Sequence, residues 1–308
     1  MPPTPEAHHV ALGAARSGAV VVCLGDLVED VVVRPSRELR RGTDTDAHVL
    51  RRRGGSAANV AVAVARAGGR ARFVGCVGAD RAGGELVAAL EEEGVDVVVE
   101  RRGRSGTVVA VLSPDGERSF LTDRGSADDL RALPDGALAD VGVLHVPAYS
   151  LARGATAATA HRAITAARDA GALISLDASS YAVLEARRGE SLGRLRPDVL
   201  HANADEAEVL GVGPGRPLEG VGQLVLTAGA GPTTLVDAHG TATEIPVDRL
   251  GGVTDTTGAG DAFVGGLLAG ILGTRAAGAS ADLAAATLAG HAAAAAQLRT
   301  NTLAGETE

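Results

Sequence analysis

The chain has no lysine, and all 29 of its basic side chains are arginines. A phosphotransferase with a P-loop requires the lysine of its G-x-x-x-x-G-K-[ST] motif, and a protein kinase requires a strand lysine that contacts the nucleotide phosphates. The missing lysine therefore excludes both of these classes.

Cysteines, aromatic residues and long apolar runs are also scarce. The two cysteines, Cys23 and Cys76, each stand in an apolar, strand-like stretch. This placement predicts reduced core thiols, typical of a cytoplasmic protein, and not a disulfide or a metal site. The eight histidines are scattered without metal-ligand spacing. No apolar run approaches the roughly 20 residues that span a bilayer, so we expect no membrane partner.

Length and charge narrow the class of protein further. A chain of 308 residues that is 45% hydrophobic can bury a large core, which favours one main domain over residues 19–308. Residues 1–18 lack the basic start and apolar centre of a signal peptide and are interpreted as a flexible tail. The net charge of -9 argues against a nucleic-acid partner, because binding nucleic acid requires a basic surface.

The stretch D-T-T-G-A-G-D-A-F at 255–263 stands before an apolar run with helical character. Gly258 and Gly260 flank Ala259, so backbone N–H groups can converge where the helix begins and form an anion hole. Asp261 would lie within reach of the bound anion and act as a base. An isolated aspartate at this place is more often a helix cap.

The length of the match favours chemistry, because the stretch closely resembles the C-terminal signature of the ribokinase-like (PfkB) carbohydrate kinases. The resemblance implies that Asp261 is the catalytic base and that Gly258, Ala259 and Gly260 hold the transferring phosphoryl group. It also implies a candidate monovalent-cation site, for an ion such as K⁺, at Asp255.

The N-terminal third carries residues that resemble the family's acceptor site. A buried strand over 19–24 ends at Asp26, which is placed as a substrate-binding residue because such strands deliver polar groups at their carboxyl ends. The resemblance implies that Asp30 binds substrate hydroxyls, although a solvated strand-edge acid is an equal alternative. The run from Gly54 and Gly55 to Asn59 resembles the family's second signature, whose residues contact the phosphate acceptor.

Short β-prone runs predict a small lid sheet beside the main domain. The runs lie at 95–99, 107–112 and 119–122, with a turn signal at 114–116. Together with residues 31–53 they form lid segments over about 31–53 and 95–123. Arg124 follows, where the chain returns to the main domain, and the resemblance implies that this turn lies near the acceptor hydroxyl.

The second half alternates strands and helices, which indicates a doubly wound, mostly parallel α/β sheet flanked by helices. Strands are predicted at 141–146, 173–176, 199–202, 224–227 and 234–236, and helices at 155–170, 205–210, 262–272 and 281–298. Where many members of the family carry D-x-N-x-R after a central strand, this chain has D-A-S-S-Y at 177–181, which removes the arginine expected to contact phosphate.

Three places in this half resemble the family's nucleotide site. Asn203 and Glu206 match an N-x-x-E motif whose glutamate organises Mg²⁺ through water, and an ordinary helix start is the alternative. His291 stands where an asparagine is common near the adenine. The glycine loop over the nucleotide has a plain turn as its alternative, and its residues are Thr227, Gly229 and Gly231. Ligands of open α/β sheets bind at strand carboxyl ends, which supports these placements.

These observations predict a kinase that transfers the γ-phosphate of MgATP to a small sugar or sugar acid, and that forms a homodimer through its lid. A nucleoside acceptor is disfavoured because aromatic residues are only 2% of the chain, whereas Arg118 and Arg124 can pair with a carboxylate or hydroxyls. A nucleoside kinase and an inactive sugar-binding regulator stay open. A Rossmann dehydrogenase conflicts with Phe263, which stands where a third glycine is required.

Overall fold

A nine-stranded sheet forms the centre of the computed structural model, which describes residues 9–10, 18–112, 118–179, 192–253, 255–276 and 281–306. Across the sheet the strands run β14 (Ala242–Ile245), β13 (Thr233–Asp237), β12 (Gln223–Thr227), β11 (Val199–Asn203), β10 (Leu173–Asp177), β9 (Val141–Pro147), β2 (Val20–Leu24), β5 (Ala71–Val77) and β6 (Asp96–Arg101). Seven strands from β12 to β6 are parallel, and β13 and β14 add an antiparallel edge. This confirms the predicted doubly wound sheet.

Helices cover both faces of the sheet, which is why its central strands are mostly apolar and buried. The helices are α1 (Ser56–Arg66), α2 (Arg81–Glu92), α3 (Gly154–Asp169), α4 (Ala204–Leu210), α5 (Ala259–Ala276) and α6 (Leu283–Glu306). One core lies under α1, α2, α5 and α6, and a second lies under α3 on the opposite face. None of the helices in the described ranges is both long and apolar enough to cross a membrane.

Small residues let α5 pack closely on its neighbours. A Cβ atom added to Gly265 would overlap the side chain of Ala63 on α1, and one added to Gly270 would lie 2.9 Å from the Cα of Ala286 on α6. Because no side chain separates α5 from α1, the first turns of the two helices approach each other. This packing brings Asp261 to the start of α1.

A separate four-stranded sheet forms the lid, in the order β4 (Ala47–Gly54), β3 (Val28–Pro35), β7 (Gly106–Leu112) and β8 (Arg118–Asp123). The prediction that the run at 95–99 joins this sheet is wrong, since that run lies in β6 and pairs with β5 in the main sheet. The helix α2 between β5 and β6 makes a parallel crossover, and such a crossover returns the chain to the sheet that it left.

Other element boundaries differ modestly from the sequence expectation. The helices predicted at 262–272 and 281–298 extend over Ala259–Ala276 and Leu283–Glu306, and the short edge strand β14 was not predicted. In the expected tail, His9–Val10 pairs with the two-residue strand β15 (Ala281–Asp282). The turn signal at 114–116 and the side chains of Arg118 and Tyr181 lie outside the described residues.

Candidate active site

The side chain of Asp261 lies in the first turn of α5 and faces the first turn of α1. Its two carboxylate oxygens accept hydrogen bonds from the hydroxyl of Ser56 and the amide of Asn59, each at 2.8 Å. Asn59 in turn accepts a hydrogen bond of 2.7 Å from the guanidinium of Arg53. The structure thus brings the predicted Asp261 and Asn59 together, and adds Ser56 and Arg53 to the site.

The pKa of Asp261 is raised by burial to about 7, although the hydrogen bonds from Asn59 and Ser56 lower it in part. A carboxyl group with a pKa near neutrality can take a proton from a hydroxyl and release it again. The environment of Asp261 therefore suits a general base better than a simple helix cap.

The predicted anion hole stands directly before this base. Gly258 adopts a φ of 76°, a left-handed conformation that favours glycine. α5 then begins at Ala259. The Ala259 N–H donates to the backbone oxygen of Thr256 at 3.2 Å, whereas the first N–H groups of a helix in general lack intrahelical acceptors. A Cβ on Gly260 would meet no described atom within 4 Å, so open space lies beside the first turn of the helix, whose N-terminus favours an anion.

On the lid side, Asp26 and Arg124 form a buried ion pair, with 2.7 Å between the guanidinium and one carboxylate oxygen. The guanidinium also lies over the ring of Tyr149, 4.6 Å from its centroid. The other carboxylate oxygen of Asp26 is buried and has no hydrogen-bond partner among the described residues. The predicted substrate residues Asp26 and Arg124 are therefore in contact with each other.

Asp30 lies against the glycine pair at the end of β4. A Cβ on Gly54 would overlap the Asp30 carboxylate, and one on Gly55, whose φ is 104°, would overlap the backbone oxygen of Asp26. Burial raises the pKa of Asp30, which Arg52 at 4.0 Å partly offsets. Gly54 thus leaves the space in which the Asp30 carboxylate stands, and Gly55 allows the backbone at Asp26 to approach.

A cavity of about 910 Å³ connects this region to the helix α6. Asp30, Asn59 and Gly258 line it at one end, and Ala293 and Gln297 line it from α6. The cavity is large enough for a sugar-sized ligand. The cavity also extends along α1 and α2, where Arg66 and Glu92 line it, and Asp261, Gly54 and Gly55 are not among its lining residues. An acceptor site at this place therefore stays a prediction.

At the far end of the sheet, Asn203 and Glu206 form a reciprocal helix cap. The Asn203 side chain accepts the backbone N–H of Glu206 at 3.0 Å, and the Glu206 carboxylate accepts the backbone N–H of Asn203 at 2.8 Å. Burial raises the pKa of Glu206, and the Asn203 N–H lowers it in part. The cap explains both residues by itself, so a role for Glu206 with Mg²⁺ stays a prediction.

A buried Asp177–His201 pair, absent from the sequence predictions, lies beside this cap. The imidazole Nδ1 is 2.5 Å from the carboxylate, and Nε2 is 3.4 Å from the hydroxyl of Thr227. Burial lowers the pKa of His201, but the Asp177 carboxylate raises it more, and the net shift is upward. Asp177 ends β10 and is paired in register with His201, the middle residue of the neighbouring strand β11, a placement that the register reveals and the sequence spacing does not.

The ring of Phe263 lies between His201 and His291, and the second of these is a predicted nucleotide residue. Its centroid lies 5.5 Å from the rings of both His201 and His291, and His291 contacts the hydroxyl of Thr233 at 2.8 Å. The loop with Gly229 and Gly231 follows β12, and Gly229 adopts a φ of 58°. The structure therefore places His291 and this loop at the same end of the sheet.

Asp255 stands at the start of the glycine segment, and its carboxylate accepts the N–H and hydroxyl of Thr257 at 2.9 and 2.5 Å. The backbone oxygens of Asp255 and Thr257 both accept hydrogen bonds from the side chain of Asn301. No group of three or more His, Cys, Asp or Glu side chains suited to a metal occurs in the described ranges.

The parallel sheet, the four-stranded lid and the site between them define the ribokinase-like class of fold. A family model for "pfkB family carbohydrate kinase" matches residues 19–305. The chain therefore belongs to the pfkB family, and it is a carbohydrate kinase.

Individual relatives agree with this assignment. Fructokinase-1 of Zea mays is 33% identical over 247 residues, which cover 71% of this chain and 73% of that protein. A fructokinase of Vibrio alginolyticus is 32% identical over 263 residues, covering 80% and 81%.

Among solved structures, a ribokinase from Giardia lamblia superposes with a TM-score of 0.75 at 20% identity, covering 90% and 92% of the two chains. A fructokinase with bound ATP from Xylella fastidiosa gives a TM-score of 0.68 at 24% identity, covering 94% and 99%.

Proposed function

We propose that this carbohydrate kinase transfers the γ-phosphate of MgATP to a hydroxyl of a neutral sugar, with fructose as the first candidate, and that Asp261 is the general base. The observation that carries the proposal is the Asp261 carboxylate, which has a pKa of about 7 and stands one turn beyond the left-handed Gly258. A base and an anion hole share this helix start, as phosphoryl transfer to a hydroxyl requires.

In the proposed reaction the Asp261 carboxylate accepts the proton of the substrate hydroxyl as the hydroxyl oxygen attacks the γ-phosphorus. The bond between the γ-phosphorus and the bridging oxygen of the β-phosphate breaks, and ADP leaves with that oxygen. Ser56 and Asn59 hold the carboxylate in one orientation, which limits the motion that would misalign the proton acceptor. The N–H groups at 258–260 stabilise the negative charge on the transferring group.

The sugar is proposed to be held by Asp30, Gly54, Gly55 and Asn59. The nucleotide is proposed to bind at the end of the sheet near Thr227, Gly231 and His291. Mg²⁺, when bound, neutralises phosphate charge, and Glu206 is the carboxylate proposed to hold its water shell.

The ion pair that Arg124 already forms favours a neutral sugar over a sugar acid as the substrate. Its charge is balanced by Asp26 at 2.7 Å, and its face is covered by Tyr149. A substrate carboxylate would have to compete with Asp26 for this guanidinium, and the buried Asp26 would then lose its partner at a large cost. The fructokinase names of the curated relatives point the same way.

A nucleoside remains the competing acceptor, and the positions of the aromatic side chains argue against nucleoside binding. Phe73 and Phe263 are buried in the core, Phe120 is exposed on the lid, and Tyr149 is covered by Arg124. None of these rings lines the cavity, so none of them is placed to stack on a base inside it.

A substrate screen tests the proposed function. Fructose, other hexoses, pentoses, keto-sugar acids and nucleosides are compared under one MgATP condition, with ADP measured directly and the efficiencies kcat/KM compared. Fructose is expected to rank first. A nucleoside or sugar acid that clearly exceeds every neutral sugar would replace the proposed substrate class.

The pH dependence of the reaction should report the ionisation of Asp261. Because the base must be deprotonated and its pKa is about 7, kcat/KM is expected to fall about tenfold per pH unit below that value and to level off above it. The profile is measured from about pH 5 to about pH 9 in overlapping buffers. A profile that stays flat across neutrality would assign the base role to another group.

The lid supports the proposal of a homodimer. Its two edge strands expose apolar side chains, with Val49 on β4 51% exposed and Phe120 and Leu121 on β8 61% and 65% exposed. Exposed apolar edge strands are favourable sites for a second lid. Light scattering is expected to show a dimer that Leu121→Arg converts to a monomer, whereas Leu288→Arg, at an exposed site on α6, leaves it dimeric. A monomeric wild-type protein at micromolar concentration would contradict this proposal.

A further inference from the structure

The side chain of Asn301, near the end of α6, closes onto the segment that precedes the anion hole. Its amide nitrogen donates to two backbone oxygens, that of Asp255 at 3.1 Å and that of Thr257 at 2.9 Å. Its own oxygen accepts the side-chain N–H of Gln297 at 2.8 Å. Because both backbone oxygens can only accept, the end of the Asn301 amide that faces them must be the NH₂ group, which fixes its orientation.

Two sets of hydrogen bonds therefore hold the segment 255–258. Within the segment, the Asp255 carboxylate accepts both the N–H and the hydroxyl of Thr257. Outside it, α6 contributes Asn301 and also Gln297, which lies beside the position a Cβ of Gly258 would take, at 3.9 Å. The residue after this clamped turn is Gly258, so the clamp determines where the anion hole begins.

Two backbone oxygens that converge on one point are a typical environment for a monovalent cation such as K⁺, which binds carbonyl oxygens in place of its hydration shell. In this chain a neutral amide with two N–H donors stands at that point. A cation bound to the same two oxygens would have to displace Asn301 and leave its NH₂ group without these acceptors, which costs free energy. The residues present therefore do not fit a cation held by this carbonyl pair.

We propose that Asn301 is a positioning residue that fixes the 255–258 segment in place of a monovalent cation, so that turnover requires no such ion. The residue contacts neither the base nor the substrate, and it acts through the backbone that carries the anion hole. The inference rests on the proposed role of the 258–260 amides in holding the phosphoryl group.

The wild-type enzyme gives the first test, which needs no variant. Turnover is measured at constant ionic strength in a tetramethylammonium salt, in NaCl and in KCl, with ADP quantified by chromatography so that no coupling enzyme adds its own salt requirement. The rates are expected to agree within about twofold, since Asn301 already occupies the two backbone oxygens that would bind a dehydrated cation. A wild-type rate that falls about tenfold or more without K⁺ would overturn the inference while leaving the kinase activity established.

Two variants then test the clamp itself. Asn301→Ala removes both donors and is expected to lower kcat about tenfold with little change in the KM for sugar, because the anion hole acts mainly in the transition state. Asn301→Asp has the same shape but only acceptors. It is expected to lose more activity in the tetramethylammonium salt and to recover most of it in KCl, since a cation can bridge the new carboxylate and the two backbone oxygens.

Thr302→Ala is the matched control, because that hydroxyl only contacts the oxygen of Leu298 within α6, and it should behave as wild type. Thermal melting in the same salts provides a second readout, in which KCl stabilises Asn301→Asp selectively over NaCl. Full activity of Asn301→Ala without K⁺, or a loss in Asn301→Asp that KCl does not reverse, would show that Asn301 does not act in place of a cation.

Discussion

Asp261→Asn is expected to lower kcat by about 10³-fold or more while the protein stays folded. The general base contributes on the order of 10²- to 10⁴-fold to such reactions, and asparagine cannot accept the proton. The new amide can keep local order, since its oxygen can accept from Asn59 and its NH₂ group can donate to the hydroxyl of Ser56, which also accepts.

The Asp261→Asn substitution is expected to lower activity but not thermal stability at alkaline pH. Burial raises the pKa of Asp261, so the folded protein disfavours the charged carboxylate, and this loss of stability develops as the pH rises from the ordinary aspartate range through 7. At pH 8 the neutral Asp261→Asn variant is therefore expected to melt no lower than wild type.

A matched control comes from the N-terminus of α6, where the carboxylate of Asp282 accepts the backbone N–H of Ala285 at 3.0 Å. Asp282→Asn should keep both the cap and the activity, because asparagine caps helices as well as aspartate does. Phosphorylation and thermal melting are measured on both variants. If Asp261→Asn retained activity near that of wild type, or if both variants lost it equally, Asp261 would not be the base.

The sequence predicted the fold well wherever an apolar run had only one sheet to join. Every strand from β9 to β13 was placed to within a residue or two, because fully buried parallel strands are continuous apolar runs. The run now in β6 was misplaced since its half-buried pattern fits either sheet. Its pairing with β5 depends on the α2 crossover, and a local pattern does not determine that choice.

The site was predicted less completely, because its hydrogen bonds join distant parts of the chain. Asp261 and Asn59 belong to recognisable motifs, but the bond from Ser56 to Asp261 spans 205 residues. Arg53, His201 and Asn301 carry no local signal, since their roles depend on which helix or strand packs beside them. The close packing of α5 on α1 through Gly265 is what converts two separate motifs into one site.

The second large effect is expected at Gly54, where the substitution by alanine should weaken sugar binding and leave the fold intact. Gly54 does not have a positive φ, so its backbone conformation suits alanine. The added methyl group would overlap the Asp30 carboxylate, and the flexible end of that side chain can move aside. A displaced Asp30 loses its hydrogen bonds to the sugar, worth about 1.5–3 kcal/mol for a charged partner, so KM is expected to rise roughly 10- to 100-fold.

Two further variants show whether Asp30 transmits this effect. Gly84→Ala is the control for the chemical change, because a Cβ there meets no described atom within 4 Å and alanine favours the helix α2. Asp30→Ala removes the group that the methyl would displace. If Gly54 acts through Asp30, adding Gly54→Ala to Asp30→Ala should raise KM little further, since the two changes remove one interaction. If the effects of Gly54→Ala and Asp30→Ala on KM instead multiply, the methyl group itself blocks sugar binding. The assignment of Asp30 as the sugar-binding carboxylate would then be wrong.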